Sequence, residues 1–463
     1  MHPWIGAGSQ DRQDLLHELG FETIDQLFAR LPESVCIDRL DLPPAQDETS
    51  LRRAFFDLGL NTTTAARKPS FLGAGVYNHI RPAAVDAVLS RAEFFTSYTP
   101  YQPEISQGTL QALFEFQTLM TRLTGMKVSN ASLYDGATAL VEAVLFAFRV
   151  LRLKRPRVVI ADTVHPIYRS VLETYADPTG LEIVTVPAGP DGRLDIEALE
   201  AAITDNTCCV AVQSPNFLGV VEDLTVVAQA AHRVGALAVH VVTEALSMAL
   251  LKAGGHFDFD VVCGEAQSFG VAPGYGGPHL GFFTCKEKTI RQMPGRLCGE
   301  TLDSEGNRAF CLTLSTREQH IRRAKATSNI CTNQGMMALA ATVWLEAIGG
   351  AGLRRLAEDN LSRAHELARR LVDEDTGWRL AFPDSPFFNE FLIQGPIGGA
   401  ETARKAAEAG ILAGIPVARW STKWPDGLLV AVTEHNSSAD LDALIEVLAH
   451  TTHHQSATRP NTP

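Results

Sequence analysis

The sequence predicts an α/β protein with a large domain on a mostly parallel sheet and a smaller C-terminal α+β domain. Three observations carry this. From residue 157 onward, short apolar strands alternate with amphipathic helices. A long helical region, broken at Gly349-Gly350, then interrupts the alternation. The remainder holds further strands and helices. At 463 residues the chain is too long for one ordinary core.

In chain order, "DRQDLLHELGFETIDQLFARLP" reads as two short amphipathic helices with a break at Gly20. "RPAAVDAVLSRAEFFTSYTPYQPEISQG" is a helix and then a loop rich in Tyr, Pro and Gly. "TLQALFEFQTLMTRLTG" is a periodic helix ended by Gly125. "NASLYDGATALVEAVLFAFRVLRL" opens in small polar residues and becomes a helix. "RVVIAD", "LEIVTVP", "CCVAVQS" and "ALAVHVV" are strands separated by helices, the pattern of a parallel sheet covered on both faces. "DVVCG" and "LGFFT" add two strands. "LCGETLDSEGNRAFCLTL" is a hairpin turning at Glu305-Gly306-Asn307. Beyond the long helix, "FNEFLIQ" and "GLLVAVT" are strands, and Ser437 and Asp440 have capping-box spacing for the last helix. The expected divisions are a helical segment over 1–70, the large domain over 71–330, a helical link with the small domain over 331–450, and a disordered polar tail over 451–463.

The net charge of −13 argues against nucleic acid as a partner, since no basic excess neutralises phosphates. The N-terminus lacks a basic n-region followed by an apolar core, and the apolar run "ALAVHVVTEALSMALL" is interrupted by His240 and Glu244. Neither suits a signal peptide or a membrane span. The eight cysteines show no CxxC pair and no metal-ligand spacing, so no metal is expected. They read as reduced packing residues of a cytoplasmic protein, with the adjacent Cys208 and Cys209 on opposite faces of one strand.

One stretch raises a chemical question. "VCGEAQSFGVAPGYGG" runs from an apolar strand into a glycine-rich loop. In enzymes that hold pyridoxal phosphate, such a segment carries the Schiff-base lysine just after the strand. Here Gln267 stands at that position, and no lysine lies between Lys252 and Lys286. A glutamine amide is neither basic nor nucleophilic. Around it, Ser132, Asp135, Gly136 and Thr138 lie at a helix N-terminus, a place for an anion. The alternative there is a capped helix start that binds nothing, favoured by the charge of Asp135. Glu244 follows a strand where a carboxylate meets a cofactor's pyridine nitrogen, or it is an ordinary strand-end charge. His165 could stack on a cofactor or simply cap its helix. The run Arg317, Arg322, Arg323 and Lys325 is a solvated face or a contact for an acidic partner.

Several stretches together resemble one family: "AEFFTSYTPYQPEISQGTLQALFEFQT", "SNASLYDGATALVEA", "SPNFLGVVED", "GYGGPHLGFF", "MPGRLCGET" and "TREQHIRRAKATSNICTNQ". The chain resembles the alpha subunit, or subunit 1, of the two-subunit form of glycine decarboxylase, the P-protein of the glycine cleavage system. The resemblance covers the chain up to its polar tail. It implies the type I pyridoxal-phosphate-enzyme fold, similar to aspartate aminotransferase, and an α2β2 assembly with a homologous catalytic beta subunit. That partner would carry the lysine and hold the pyridoxal phosphate. Ser132, Gly136, Thr138, His165 and Glu244 would then be a vestigial pocket, with Glu244 standing where the family pattern suggests an aspartate. Tyr98 and Tyr101, on a loop stiffened by Pro100 and Pro103, would face the partner's site. The complex would take the carboxylate of glycine as carbon dioxide and pass the aminomethyl group to the lipoyl arm of the H-protein. The competing readings are an independent pyridoxal-phosphate lyase or transferase using Lys252 or another lysine, and a non-enzymatic scaffold.

Overall fold

Seven strands form the central sheet: β1 (Val128–Ser129), β2 (Arg157–Ala161), β3 (Glu182–Val186), β4 (Thr207–Gln213), β5 (Leu237–Val242), β6 (Val261–Glu265) and β7 (Gly281–Cys285). Their order is β1-β7-β6-β5-β4-β2-β3. Strands β2 to β6 run parallel, and only β7 opposes its neighbours. Every residue of β4, β5, β6 and β7 is buried, the consequence of helices covering both faces. Edge strand β3 exposes Glu182 and Thr185. In this computed structural model the described residues are 6, 8–37, 40–65, 67–274, 276–374 and 376–456, with side chains to 450.

The chain divides into two compact units, 1–63 and 64–463. The first contains the helices Ser9–Glu18 and Glu48–Leu60 and a 3-10 turn at Ile24–Phe28. Gly20, at φ +77°, separates the helix Ser9–Glu18 from that turn. The helix at Glu48–Leu60 was not read from the sequence, and none of its residues is buried.

In the second unit, β8 (Leu297–Leu302) and β9 (Arg308–Thr313) make the expected hairpin. A four-stranded antiparallel sheet, β10 (Arg379–Leu380), β11 (Glu390–Gln394), β12 (Ile415–Pro416) and β13 (Gly427–Ala431), is ordered β10-β11-β13-β12. The helices Gly399–Glu408 and Ser438–Ser456 complete this part. The Ser437–Asp440 capping box forms, with Ser437 N–H donating to Asp440 Oδ2 at 2.8 Å. That last helix continues to Ser456, past the expected start of a disordered tail at 451. The helical pattern wins there over the polar composition, and 457–463 lie outside the described residues.

The helix Gly335–Asp373 bends where expected, at Gly349, whose φ of +66° is non-helical. By length and composition it is apolar enough to cross a membrane. Its apolar residues are those of a core helix, with Trp344 and Ala341 fully buried. The two cysteines of β4 depart from expectation. A register shift between β2 and β4 leaves Cys208 unpaired in the ladder, and the two sulfurs come within 3.8 Å. The bulge cancels the alternation that would have sent them to opposite faces.

Candidate functional site

Parallel strands deliver their carboxyl ends to one edge of a sheet, where α/β folds place their sites. Here that edge presents His165 after β2, Gln213 at the end of β4, Glu244 after β5, and Glu265 and Gln267 at the end of β6. Gln213 ties two of these loops together. Its Oε1 accepts from His165 N–H at 2.8 Å and its Nε2 donates to Thr243 Oγ1 at 3.1 Å.

The segment Gly73–Ile80 enters this edge and bonds to three of these groups, His165, Glu244 and Gln267. Gln267, 2% exposed, accepts at Oε1 from Tyr77 N–H (2.9 Å) and donates from Nε2 to the Tyr77 and Val271 carbonyls at 3.0 and 2.5 Å. Its amide is thus used entirely on backbone. His165 Nδ1 accepts from Ile167 N–H, so the proton sits on Nε2 and is donated to the Ala74 carbonyl at 2.8 Å. A Cβ on Gly75, φ +89°, would lie 3.2 Å from the His165 ring, so only glycine backbone approaches it this closely. Burial holds His165 down to about 4, hence neutral.

Glu244 meets a histidine. Its Oε2 lies 3.0 Å from His79 Nε2, while His79 Nδ1 lies 2.9 Å from Glu434 Oε2. All three side chains are buried or nearly so. Burial disfavours the imidazolium, but the two carboxylates outweigh it and lift His79 to about 10. Glu434 responds in the opposite sense: burial raises it, and His79, Asn360 and the Ile80 N–H bring it to about 2. Tyr77 donates its hydroxyl to Glu390 Oε2 at 2.9 Å, and Ala74 N–H donates to Glu390 Oε1 at 2.6 Å. Burial pushes Glu390 to about 7.

The helix N-terminus is also filled from within. Asp135 caps the helix Gly136–Val150, accepting from Thr138 N–H at 2.7 Å and from the Thr138 hydroxyl at 2.8 Å. The Gly136 N–H donates to Glu265 Oε2 at 3.0 Å, and Glu265 Oε1 accepts from Gln267 and Leu280 N–H groups at 3.0 and 2.7 Å. A carboxylate therefore occupies the anion position of this helix. Burial pushes the Glu265 pKa up, and His279 and the N–H donors pull against it. Ser132 is buried apart from these bonds, its hydroxyl unpartnered and its carbonyl accepting from Asn333 Nδ2 at 2.8 Å.

The structure thus joins His165, Glu244 and Gln267 through one segment and turns Thr138 inward to its cap. His79, Tyr77, Glu390, Glu434 and Glu265 were not read from the sequence. Only Glu265, an acid ending an apolar strand, left a local signal. Tyr98 is exposed, while the Tyr101 hydroxyl is 3.5 Å from Cys331 Sγ and its ring meets His320 edge-on. Burial and the Cys331 thiol push the Tyr101 hydroxyl up to about 12. Lys252 lines a cavity with Ser214, Glu222 and His240 instead.

The groups present do not fit pyridoxal phosphate. Position 267 offers no amine, Glu265 stands where a phosphate would, and the chain's own backbone takes the bonds of Gln267 and the ring of His165.

Comparison with known proteins places the chain. The profile of the glycine cleavage system P-protein family matches residues 2–448. A probable glycine dehydrogenase (decarboxylating) subunit 1 of Anaeromyxobacter dehalogenans is 52% identical over 429 residues, covering 92% of this chain and 94% of its own. One of the same name from Koribacter versatilis is 46% identical, covering 96% and 99%. A crystal structure of glycine decarboxylase (P-protein) in inhibitor-bound form superposes with a TM-score of 0.89 at 41% identity, covering 96% of this chain and 99% of that one. A NifS-like protein (TM-score 0.61, 11% identity, 84% and 100% covered) and a sphingosine-1-phosphate lyase of Burkholderia pseudomallei (0.65, 14%, 91% and 94%) share the fold alone. The fold is that of the type I pyridoxal-phosphate enzymes. With a family profile spanning nearly its whole length and relatives near half identical, this chain belongs to the glycine cleavage system P-protein family.

Proposed function

We propose that this chain is the non-lysine-bearing subunit 1 of a two-subunit glycine dehydrogenase (decarboxylating), inactive alone and working in the cytoplasm. The names carried by its relatives support the activity. The observation that carries the division of labour is Gln267, whose amide is spent on the Tyr77 backbone where a Schiff-base lysine would stand. The cofactor is then held by a homologous, lysine-bearing beta subunit, in an α2β2 assembly. Bound there, it would supply an electron sink for the loss of carbon dioxide from glycine, and the aminomethyl group would pass to the lipoyl group of the H-protein. This chain's share is architectural: it completes the partner's pocket. Exposed apolar side chains on one stretch, Phe95, Tyr98 and Ile105, suit a surface that a partner covers.

The test is co-expression with a homologous, lysine-bearing P-protein chain, then size-exclusion chromatography and assay of glycine decarboxylation with lipoylated H-protein. The expected result is a stable complex that is active while this chain alone is not. Decarboxylation by the isolated chain, or no association at all, overturns the reading.

A further inference from the structure

Beyond the sheet edge, a cavity of about 700 Å³ opens between the stretch 65–72, the end of the Gly73–Ile80 segment and the loop after β13. Its lining includes Arg67, Lys68, Asn78, Arg81 and His435. The chain carries a net charge of −13, so a hollow ringed by Arg67, Lys68 and Arg81 runs against its composition. Arg81 is paired, its Nη2 2.6 Å from Asp86 Oδ1. Among the described residues, Arg67 and Lys68 have no ion pair, and the side chains of Asn78 and His435 have no hydrogen bond. The neighbouring acids are engaged elsewhere. Glu434 is held by His79, by Asn360 Nδ2 and by the Ile80 N–H, and Asp440 Oδ2 accepts from the Ser437 N–H and hydroxyl at 2.8 Å each. One wall is tied in place by Asn436, whose Nδ2 donates to the Ser70 carbonyl and whose Oδ1 accepts from Thr433 N–H, both at 2.9 Å.

We infer that this cavity is a binding site for a phosphate group, carried by a small phosphomonoester without an aromatic ring, with Arg67, Lys68 and Asn78 as its donors. A carboxylate is satisfied by a single guanidinium fork, whereas a phosphate dianion spreads its charge over several oxygens and gains from separate cations and an amide. The volume lies within the range of about 300–1,000 Å³ typical of small-molecule sites, which leaves room for an organic part. Among the described residues no Phe, Tyr or Trp lines the cavity, so a nucleobase finds no ring to stack on. A ligand in place bridges Asn78 to the loop that carries His435, the two segments already joined by His79 and Glu434. Binding the folded chain across that junction stabilises it by mass action. The site stands on this chain's own residues and not on the glycine reaction.

Isothermal titration calorimetry on the full chain, at an ionic strength fixed with chloride, tests this without any activity. The probes are glycerol 3-phosphate, inorganic phosphate and adenosine monophosphate, with choline as control. Glycerol 3-phosphate is expected to bind and to raise the unfolding temperature, and choline to do neither. Arg67→Glu with Lys68→Glu weakens binding by about tenfold or more, since each removes a charged donor. Arg152→Glu with Lys154→Glu makes the same change of charge outside the cavity and weakens it by about twofold at most. A wild-type chain that binds neither glycerol 3-phosphate nor inorganic phosphate overturns the site. So does equal weakening by the two pairs, or a folded Arg67→Glu, Lys68→Glu chain that binds like wild type. Should that chain fail to fold, undiminished binding by Asn78→Asp, which sets a carboxylate in the lining at nearly constant volume, overturns it instead. Inorganic phosphate that binds as tightly as the ester keeps the phosphate site and overturns the organic part. Adenosine monophosphate that binds more tightly than glycerol 3-phosphate overturns the exclusion of a ring.

Discussion

His79 Nε2 lies 3.0 Å from Glu244 Oε2, both side chains buried at the edge of the sheet formed by the carboxyl ends of its parallel strands. The same imidazole reaches Glu434 on its other side at 2.9 Å. Two buried carboxylates held by one imidazolium make a strut between the Gly73–Ile80 segment, the end of β5 and the loop after β13. Removing the cation leaves both acids buried without it, which is the costly way to break such a group.

His79→Gln is therefore expected to destabilise the chain by about 3–5 kcal/mol near pH 6.5. The pH dependence has a definite sign. His79 is raised from 6.5 to about 10, so its contribution is complete below 6.5 and is lost as the pH rises through 10. Glu434 is lowered from 4.5 to about 2, so its contribution is complete above 4.5 and is lost as the pH falls through 2. Denaturant unfolding should show a gap between wild type and His79→Gln that narrows from pH 6.5 to pH 10. A gap that is constant or widens contradicts the strut.

Restoring the amine should not restore the chemistry. In Gln267→Lys, the Tyr77 N–H loses its acceptor and a buried ammonium faces it. Lower thermal stability is expected, with no lysine at 267 modified by borohydride in the presence of pyridoxal phosphate. A reduced pyridoxyl group on that lysine, found by peptide mapping, would falsify the view that the segment Gly73–Ile80 closes the pocket.

Gly136 begins its helix with no room above it. A Cβ there would lie 2.2 Å from the Tyr168 hydroxyl oxygen and 2.8 Å from the ring carbon bearing it. Gly136→Ala should cost about 1–3 kcal/mol by overpacking, and adding Tyr168→Phe should recover part of it. Equal stability of the single and double variants in chemical denaturation would show that the ring, and not the hydroxyl, sets the limit.

Tyr98 and Tyr101 separate by kinetics. A hydroxyl that bonds the substrate or transition state in the complex is worth roughly 0.5–1.5 kcal/mol, about 2- to 12-fold in kcat/KM. Tyr98→Phe and Tyr101→Phe are expected to lower glycine decarboxylation by that much while the complex still assembles. Wild-type kinetics in both single variants and in the double variant would leave these rings a packing role only.

The sequence by itself determined the parallel sheet, because strands buried on both faces must be mostly apolar, as β4, β5 and β6 are. It also determined the bend at Gly349, the hairpin of β8 and β9, and the missing amine at 267, since each is written in one residue type at one place. Only the tertiary structure decided what fills the pocket. Gly73–Ile80 has no helix or strand periodicity to read, and the partners of His79 and Tyr77 lie far along the chain at Glu244, Glu390 and Glu434. Strand β1 is two residues long, too short to show alternation, and the cysteine pair of β4 obeys a bulge visible only in its pairing with β2. Periodicity reports which face of a local element is buried. The partner of a buried charge is chosen by which distant segment docks against it, and that choice leaves no local pattern in the chain.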